Sequence, residues 1–357
     1  MDFSDRLLHW WGQHGRHDLP WQILRTPYRV WVSEIMLQQT RAETVCRYFQ
    51  RFVERFPDIQ TLAGAELDEV LALWSGLGYY ARARNLHAAA IIVVDQHGGK
   101  MPGRIEALEA LPGIGRSTAA AIVAQAFDRR ATILDGNVKR LMARHAGIDG
   151  WPGRGPVQRL LWVQADARTP DERAADYTQA VMDLGAMLCR PRKPACEQCP
   201  VAGDCAARAD RRQHELPSPR PRRHLPERSE TFVIARNRQA EVLLVRRPPS
   251  GIWGGLWCLP ERSLMDERSL MDERCLMKGS KRLDGPANEV LPVLPSIRHA
   301  FTHFRLELQF EQLCLEQLSD AVADDQDWRW MTLDQAARSG LPQPIRTVLE
   351  GLEASRA

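Results

Sequence analysis

Four cysteines fall within 17 residues: Cys189, Cys196, Cys199 and Cys205, with six, two and five residues between them. Four thiolates confined to so short a run converge on one object. Pro191, Pro194 and Pro200 interrupt the run, so it reads as a loop and not as a packed helix with unrelated core thiols. Structural zinc is usually held by separated pairs of ligands, each pair two residues apart, and here only Cys196 and Cys199 form such a pair. One tight run suits an iron–sulfur cube, with zinc the alternative on chemistry alone. The other four cysteines, Cys46, Cys258, Cys275 and Cys314, are scattered along 357 residues, unlike the disulfide framework of a small secreted domain. The stretch Met1 to Arg6 is charged and lacks the apolar core of a signal peptide. The longest apolar runs, such as Ala88 to Val94, are too short to span a bilayer. These features predict a reducing, cytoplasmic setting and no membrane partner.

The length suggests two or three domains. Residues 1–210 read as helical. Thr26-Pro27 is a helix start, a capping residue followed by Pro at the first helical position. Apolar residues then recur at Val30, Trp31, Ile35 and Met36, and again at Val45, Phe49, Phe52 and Val53, with helical spacing. Stretches 67–74, 81–94, 117–127 and 138–145 are further helices. Residues 211–228 form a Pro-rich basic linker. From Arg190 to Arg228 there are ten Lys or Arg against five Asp or Glu. That run is either a solvated connector or a strap that tracks phosphates, although the net charge of +3 argues nothing by itself. Residues 229–357 read as an α+β domain. Strands are expected at 231–235 and 242–245, an alternating half-buried strand over Phe304 to Phe310, and helices at 333–338 and 345–352. Ser263 to Arg268 repeats at once as Ser269 to Arg274, which reads as a duplication in a tolerant surface loop.

Three further features carry chemistry. Leu111-Pro112-Gly113-Ile114-Gly115-Arg116-Ser117 opens a small-residue helix. Gly113 and Gly115 allow close backbone approach, and free N–H groups at the helix start suit an anion. Asp135 stands just before a helix, which makes it a plain cap or a carboxylate held at low pKa by amide donors. Glu34 has Val30, Trp31 and Leu37 among its helical neighbours, so desolvation should raise its pKa. A raised acid beside an ionised carboxylate is the pair that N-glycosidic cleavage needs, one to protonate the leaving base and one to face the cationic sugar.

The cysteine spacing resembles the iron–sulfur loop of the endonuclease III superfamily of DNA glycosylases, and the Gly113–Gly115 turn resembles their phosphate-gripping helix–hairpin–helix. Trp31 to Thr40, Gly76 to Asn85 and Leu134 to Arg140 closely resemble adenine glycosylases of the MutY type. The resemblance implies an all-α helix–hairpin–helix domain with a [4Fe–4S] cluster on Cys189, Cys196, Cys199 and Cys205. It implies that Glu34 protonates adenine N7, that Asp135 stabilises the cation, and that Asn137 supports the site. Trp21 would line the adenine pocket, with Gln179 a candidate for the adenine edge. Leu37, Gln39 and Tyr79 would wedge the stack around a flipped base, and Lys139 would contact phosphate. Bifunctional relatives carry a Lys where this chain has Ser117, so a monofunctional enzyme that leaves an abasic site is implied. The C-terminal domain resembles a Nudix-like module without the Gly-x5-Glu-x7-Arg-Glu-x2-Glu-Glu box, and Phe301-Thr302-His303 resembles a loop that inspects 8-oxoguanine. The implied partner is duplex DNA with an adenine:8-oxoguanine or adenine:guanine mispair, met by a monomer associated with the nucleoid. Rival readings are an oxidised-pyrimidine glycosylase/lyase, a non-catalytic damage sensor and a nucleotide-pool pyrophosphatase. Ser117, the retained carboxylate pair and the missing box argue against them in turn.

Overall fold

The computed structural model describes residues 1–221, 224–237, 239–249, 251–267, 294–301, 303–314 and 327–354. Thr302 and most of the duplicated hexapeptide lie outside the described residues. By internal contacts the chain divides into two compact units. The first is Met1–Ala65 with Asn85–Arg222, and the second is Glu66–Arg84 with Arg223–Ala357. No helix among the described residues is long and apolar enough to cross a membrane.

The helices are α1 Phe3–His14, α2 Pro20–Ile23, α3 Pro27–Leu37, α4 Ala42–Arg55, α5 Ile59–Ala63, α6 Leu67–Trp74, α7 Ala81–His97, α8 Ile105–Glu109, α9 Arg116–Phe127, α10 Gly136–His145, α11 Gly155–Asp166, α12 Ala174–Met187 and α13 Ala206–Ala209. Helix α3 starts where the sequence places it. Thr26 caps it, its hydroxyl accepting from the Arg29 amide at 3.3 Å, and Pro27 follows at the first turn. Val30, Trp31, Val32, Ser33, Ile35 and Met36 are all buried, so Glu34 sits in a helix embedded in the core. The central partner is α9, whose buried Ala119, Ala120, Ala121 and Ala124 admit both α3 and α12.

The second unit is built on a mixed sheet. Its strands are β1 Glu227–Arg236, β2 Val242–Arg246, β3 Trp257–Cys258, β4 Ile297–Ala300, β5 Arg305–Cys314 and β6 Trp328–Met331. The order is β3-β2-β1-β5-β4, with β6 also paired to β2. Strands β1 and β5 run parallel, with Phe232 opposite Phe310, and the other pairs are antiparallel. The sheet is covered on both faces. Phe232, Ile234, Val242 and Leu244 meet Leu333, Ile345, Val348 and Leu349 of α15 Leu333–Ala337 and α16 Gln343–Ala354 and the turn before them. On the other face Val233, Ala235, Leu243 and Val245 meet Met265 of α14 Arg262–Glu267 and Trp328. This is why β1 and β2 are continuous apolar runs, while β5 alternates buried Phe304, Leu306 and Leu308 with more exposed Arg305 and Gln309.

Helix α6 and the turn after it belong to this unit. The Trp257 indole N–H donates to Asp68 at 3.3 Å, and Arg246 pairs with the same carboxylate. The Tyr80 hydroxyl donates to the Leu341 carbonyl at 2.8 Å, and Arg346 Nε donates to Ser75 Oγ at 3.2 Å. The Glu261 carboxylate is paired with Arg247, and its backbone forms an isolated bridge with Phe232.

Candidate active site

Three helix ends assemble the site of the first unit. Glu34 lies near the end of α3, and Asp135 caps α10. Gln125, which the sequence reading did not single out, comes from the last turns of α9. Gln125 Nε2 donates to Glu34 Oε1 at 2.8 Å. Burial pushes the Glu34 carboxyl up to about 7. Asp135 pushes it in the same direction, and the Gln125 N–H opposes both.

Asp135 is both a cap and a buried acid. Its Oδ1 accepts from the Val138 amide at 2.7 Å. The sequence predicts a low pKa from the amide donors and the helix end. The structure corrects this: burial outweighs the Val138 and Asn137 N–H groups, Arg140 and Lys139, and holds the carboxyl above its ordinary value. Asn137 Nδ2 lies 3.4 Å from Asp135 Oδ2, and its Oδ1 accepts from Arg140 Nη2 at 3.0 Å. Ser117 Oγ accepts from the Leu134 amide at 3.0 Å, which ties the start of α9 to the strand of backbone before Asp135. Lys139 is half-buried on the first turns of α10.

Trp21 is only 2% exposed and packs edge-on against Phe49 at 5.5 Å, so in the free protein it belongs to the core. Gln179 is buried as well, with its amide engaged at both ends. Its oxygen accepts from Gln22 at 2.6 Å and its nitrogen donates to Asp183 at 2.8 Å. Leu37 ends α3, and Gln39 follows it, exposed, with φ at 60°. Gln38 joins this segment to the hairpin, its Nε2 lying 3.3 Å from the Gly113 carbonyl.

The two hairpin glycines differ. Gly113 has φ of 78°, and a Cβ there would stand 2.8 Å from Asn85 Cβ. Gly115 caps α9 with ordinary φ, and a Cβ there would meet open space. Gly113→Ala is therefore expected to cost about 2 kcal/mol of stability. Gly115→Ala should cost under about 1 kcal/mol. Melting curves check both. Equal loss of stability in the two variants would contradict the assignment.

The four cysteines surround one pocket with Leu141, Arg144, Val201 and Pro194. Arg144 braces it, donating to the Cys189 sulfur at 3.3 Å and to the Arg190 carbonyl at 2.7 Å. Among the described residues no three ligating side chains converge as a single metal ion requires. An iron–sulfur cube takes one thiolate at each of four separated corners, which is a different demand. Burial, with charge on the other three cysteines acting the same way, pushes the Cys199 thiol up to about 12. A thiol set of this kind ionises only against strongly positive metal centres. The all-sulfur donor set and the shared pocket fit a [4Fe–4S] cluster.

In the second unit Tyr79 is 51% exposed with φ of 52°, between Gly78 at 71° and the Tyr80 bond to Leu341. An exposed aromatic on a strained backbone suits a wedge. Phe301 stacks on Phe304 at 4.6 Å, and exposed His303 lies 4.8 Å from the same ring.

Three family descriptions match the chain: the HhH-GPD superfamily of base excision DNA repair proteins over residues 32–166, the iron-sulfur binding domain of endonuclease III over 189–205, and the NUDIX domain over 231–351. Fold and site together define a base excision DNA glycosylase with an iron–sulfur loop. Curated proteins named adenine DNA glycosylase align along almost its full length. One from Buchnera aphidicola subsp. Acyrthosiphon pisum (strain APS) is 34% identical over 351 residues, covering 98% of this chain and 97% of its own. One from Mus musculus is 36% identical over 406 residues, covering 99% and 78%. Among solved structures, a thermostable thymine-DNA glycosylase is 29% identical with a TM-score of 0.53, over 58% of this chain and 95% of its own. A non-covalent endonuclease III–DNA complex shares the fold at 22% identity and a TM-score of 0.50, over 58% and 94%. The chain belongs to the adenine DNA glycosylase family. It is a hydrolase of N-glycosyl bonds that acts on DNA in base excision repair, and it carries a [4Fe–4S] cluster in the loop 189–205.

Proposed function

We propose that this enzyme excises adenine mispaired with 8-oxoguanine or guanine and leaves an abasic site in an uncut strand. The observation that carries the reading is Glu34, an acid whose pKa near 7 keeps a large share protonated at neutral pH. Adenine is a poor leaving group until it is protonated. Glu34 supplies that proton at N7, and the glycosidic electrons move onto the base. The sugar becomes an oxocarbenium-like cation. Its positive charge favours the ionised form of Asp135 and offsets the burial that raises this carboxyl in the free protein. Asn137 and Arg140 hold Asp135 in place, and carboxylate Glu34 then takes a proton from the attacking water.

Flipping the base costs a few kcal/mol of lost stacking, which Leu37 and Gln39 offset by filling the gap, and Tyr79 of the second unit is a wedge in its own right. Trp21 walls the adenine pocket, and Gln179 supports it from behind. Gly113, Gly115, Ser117 and Lys139 hold the backbone phosphates. The [4Fe–4S] cluster, when bound, supplies charge and cross-bracing to the loop 189–205, whose Arg190, Arg192 and Lys193 face phosphates. The protein works as a monomer in the cytoplasm, on nucleoid DNA.

Ser117 sits where a lyase would carry its amine, and a hydroxyl forms no Schiff base. Chromatography of a single-turnover reaction should therefore give free adenine and an intact strand that breaks only with alkali. Spontaneous strand cleavage, lost in Lys139→Ala, would overturn the monofunctional reading.

Phe301, Thr302 and His303 inspect the base opposite adenine. His303→Ala is expected to reduce the preference for 8-oxoguanine over guanine about tenfold, with release opposite guanine little changed. Equal losses on both duplexes would contradict this role. Deleting residues 229–357 is a poorer test, because Asp68, Ser75 and Tyr80 would lose their partners.

A further inference from the structure

Gln125 is the near end of a buried chain of amides. Gln125, Gln22 and Gln179 are 4%, 9% and 2% exposed, and Asp183 at the far end is fully buried. Among the described residues Asp183 is met by N–H donors alone: Arg16 Nε and Nη2 at 2.9 and 2.7 Å, the Arg16 amide at 2.8 Å, the Trp11 indole at 3.1 Å and Gln179 Nε2 at 2.8 Å. That end fixes the direction of everything attached to it. Gln179 turns its nitrogen to Asp183 and its oxygen to Gln22. Gln22 answers with its own nitrogen, which also reaches Gln125 Oε1 at 2.8 Å. Gln125 is left with its nitrogen toward Glu34. Among the described residues the Gln22 oxygen is buried with no hydrogen-bond partner. Turning that amide over would set its oxygen against two amide oxygens, which is worse.

We propose that Gln125 is a positioning residue of the catalytic centre. Its N–H, oriented from Asp183 through Gln179 and Gln22, occupies Oε1 of Glu34 and directs the acid proton onto Oε2. The inference rests on Glu34 being the acid of the reaction. As the proton passes from Oε2 to the base and the glycosidic bond breaks, Glu34 becomes a carboxylate. The Gln125 bond then becomes charge-assisted and strengthens as the reaction proceeds. In the free enzyme the same bond opposes the effect of burial on Glu34.

Among the described residues, the groups acting on Glu34 are Gln125 from α9 and Asp135 from the start of α10, which Arg140 and Lys139 in turn face. Helix α2 contributes uncharged Gln22, and α4 contributes buried Val45, Phe49 and Phe52 to the core.

Single-turnover adenine release from an adenine:8-oxoguanine duplex should be followed across pH for wild type, Gln125→Leu and Gln22→Leu. Wild-type release falls as pH rises through about 7, where Glu34 loses its proton. In Gln125→Leu the midpoint should move up by about one pH unit, and the low-pH plateau should drop about tenfold. Gln22→Leu leaves the Gln125 amide free to turn and should shift the midpoint the same way by less. A lowered plateau with an unmoved midpoint means a packing role only and overturns the proposal. If Gln125→Leu does not fold, Gln125→Met carries the same comparison. If the wild type releases no adenine, the reading of the site fails separately. Titration of the Glu34 carboxyl by 13C NMR, assigned with Glu34→Gln, still decides the inference, because its midpoint must rise in Gln125→Leu.

Discussion

Glu34→Gln is expected to lower single-turnover adenine release by about a thousandfold or more while making the protein more stable above neutral pH. The glutamine has the same shape and keeps an oxygen for the Gln125 N–H, so the site stays assembled. It has no acidic proton to give the base. The stability gain follows from the pKa. Burial raises Glu34 from 4.5 to about 7 in the folded chain. The favourable contribution of the neutral acid is complete below pH 4.5 and is lost as pH rises through 7. Above that, folding must either bury a charge or hold a proton that the unfolded chain would release. The penalty has an upper bound of about 3 kcal/mol. The variant and the wild type should melt alike near pH 4 and part at pH 8, with the variant higher. Unchanged release, or a variant no more stable at pH 8, would contradict the assignment.

Asp183→Ala is expected to cost about 3 kcal/mol, enough to lower the melting temperature of a unit of this size by roughly 6–12 °C. The substitution leaves the Trp11 indole and the Gln179 amide buried without their acceptor, and it frees Arg16. The Arg16 side chain is about a quarter exposed and can recover water, which keeps the loss near the lower end for a broken buried pair. Release should also slow, roughly tenfold, because nothing then fixes which way Gln179 and its neighbours point. Asp183→Asn, which can still accept through its oxygen, should lose less on both counts. An Asp183→Ala protein that melts with the wild type would mean that the carboxylate is not the anchor inferred from its five donors.

The parts of the site that were legible in the sequence are those whose logic is local. The four cysteines declare a common ligand because they lie within 17 residues. Thr26-Pro27 fixes the start of α3, and the apolar neighbours of Glu34 within one helix foretell its raised pKa. Asp135 shows where local logic stops. Cap and helix end both argue for a low pKa, but tertiary packing buries the carboxyl and reverses the sign. The amide chain was not legible either. Gln22 meets Gln125 and Gln179 across 103 and 157 positions, and no spacing rule pairs them. Helix α12, which carries two members of the chain, buries Thr178, Gln179 and Asp183 alongside its apolar residues, so its pattern lacks a clean apolar stripe. Nothing in the sequence marks Glu66–Arg84 as packing with the C-terminal sheet, since that grouping rests on long-range bonds such as Trp257 to Asp68.

The central claim is that a buried acid in this protein excises adenine according to the base opposite it. The most direct measurement is single-turnover base release from three labelled duplexes, with adenine opposite 8-oxoguanine, guanine or thymine. The account predicts fast release opposite 8-oxoguanine, slower release opposite guanine and none opposite thymine. Failure to release adenine from any of the three, with duplex binding intact, would contradict it.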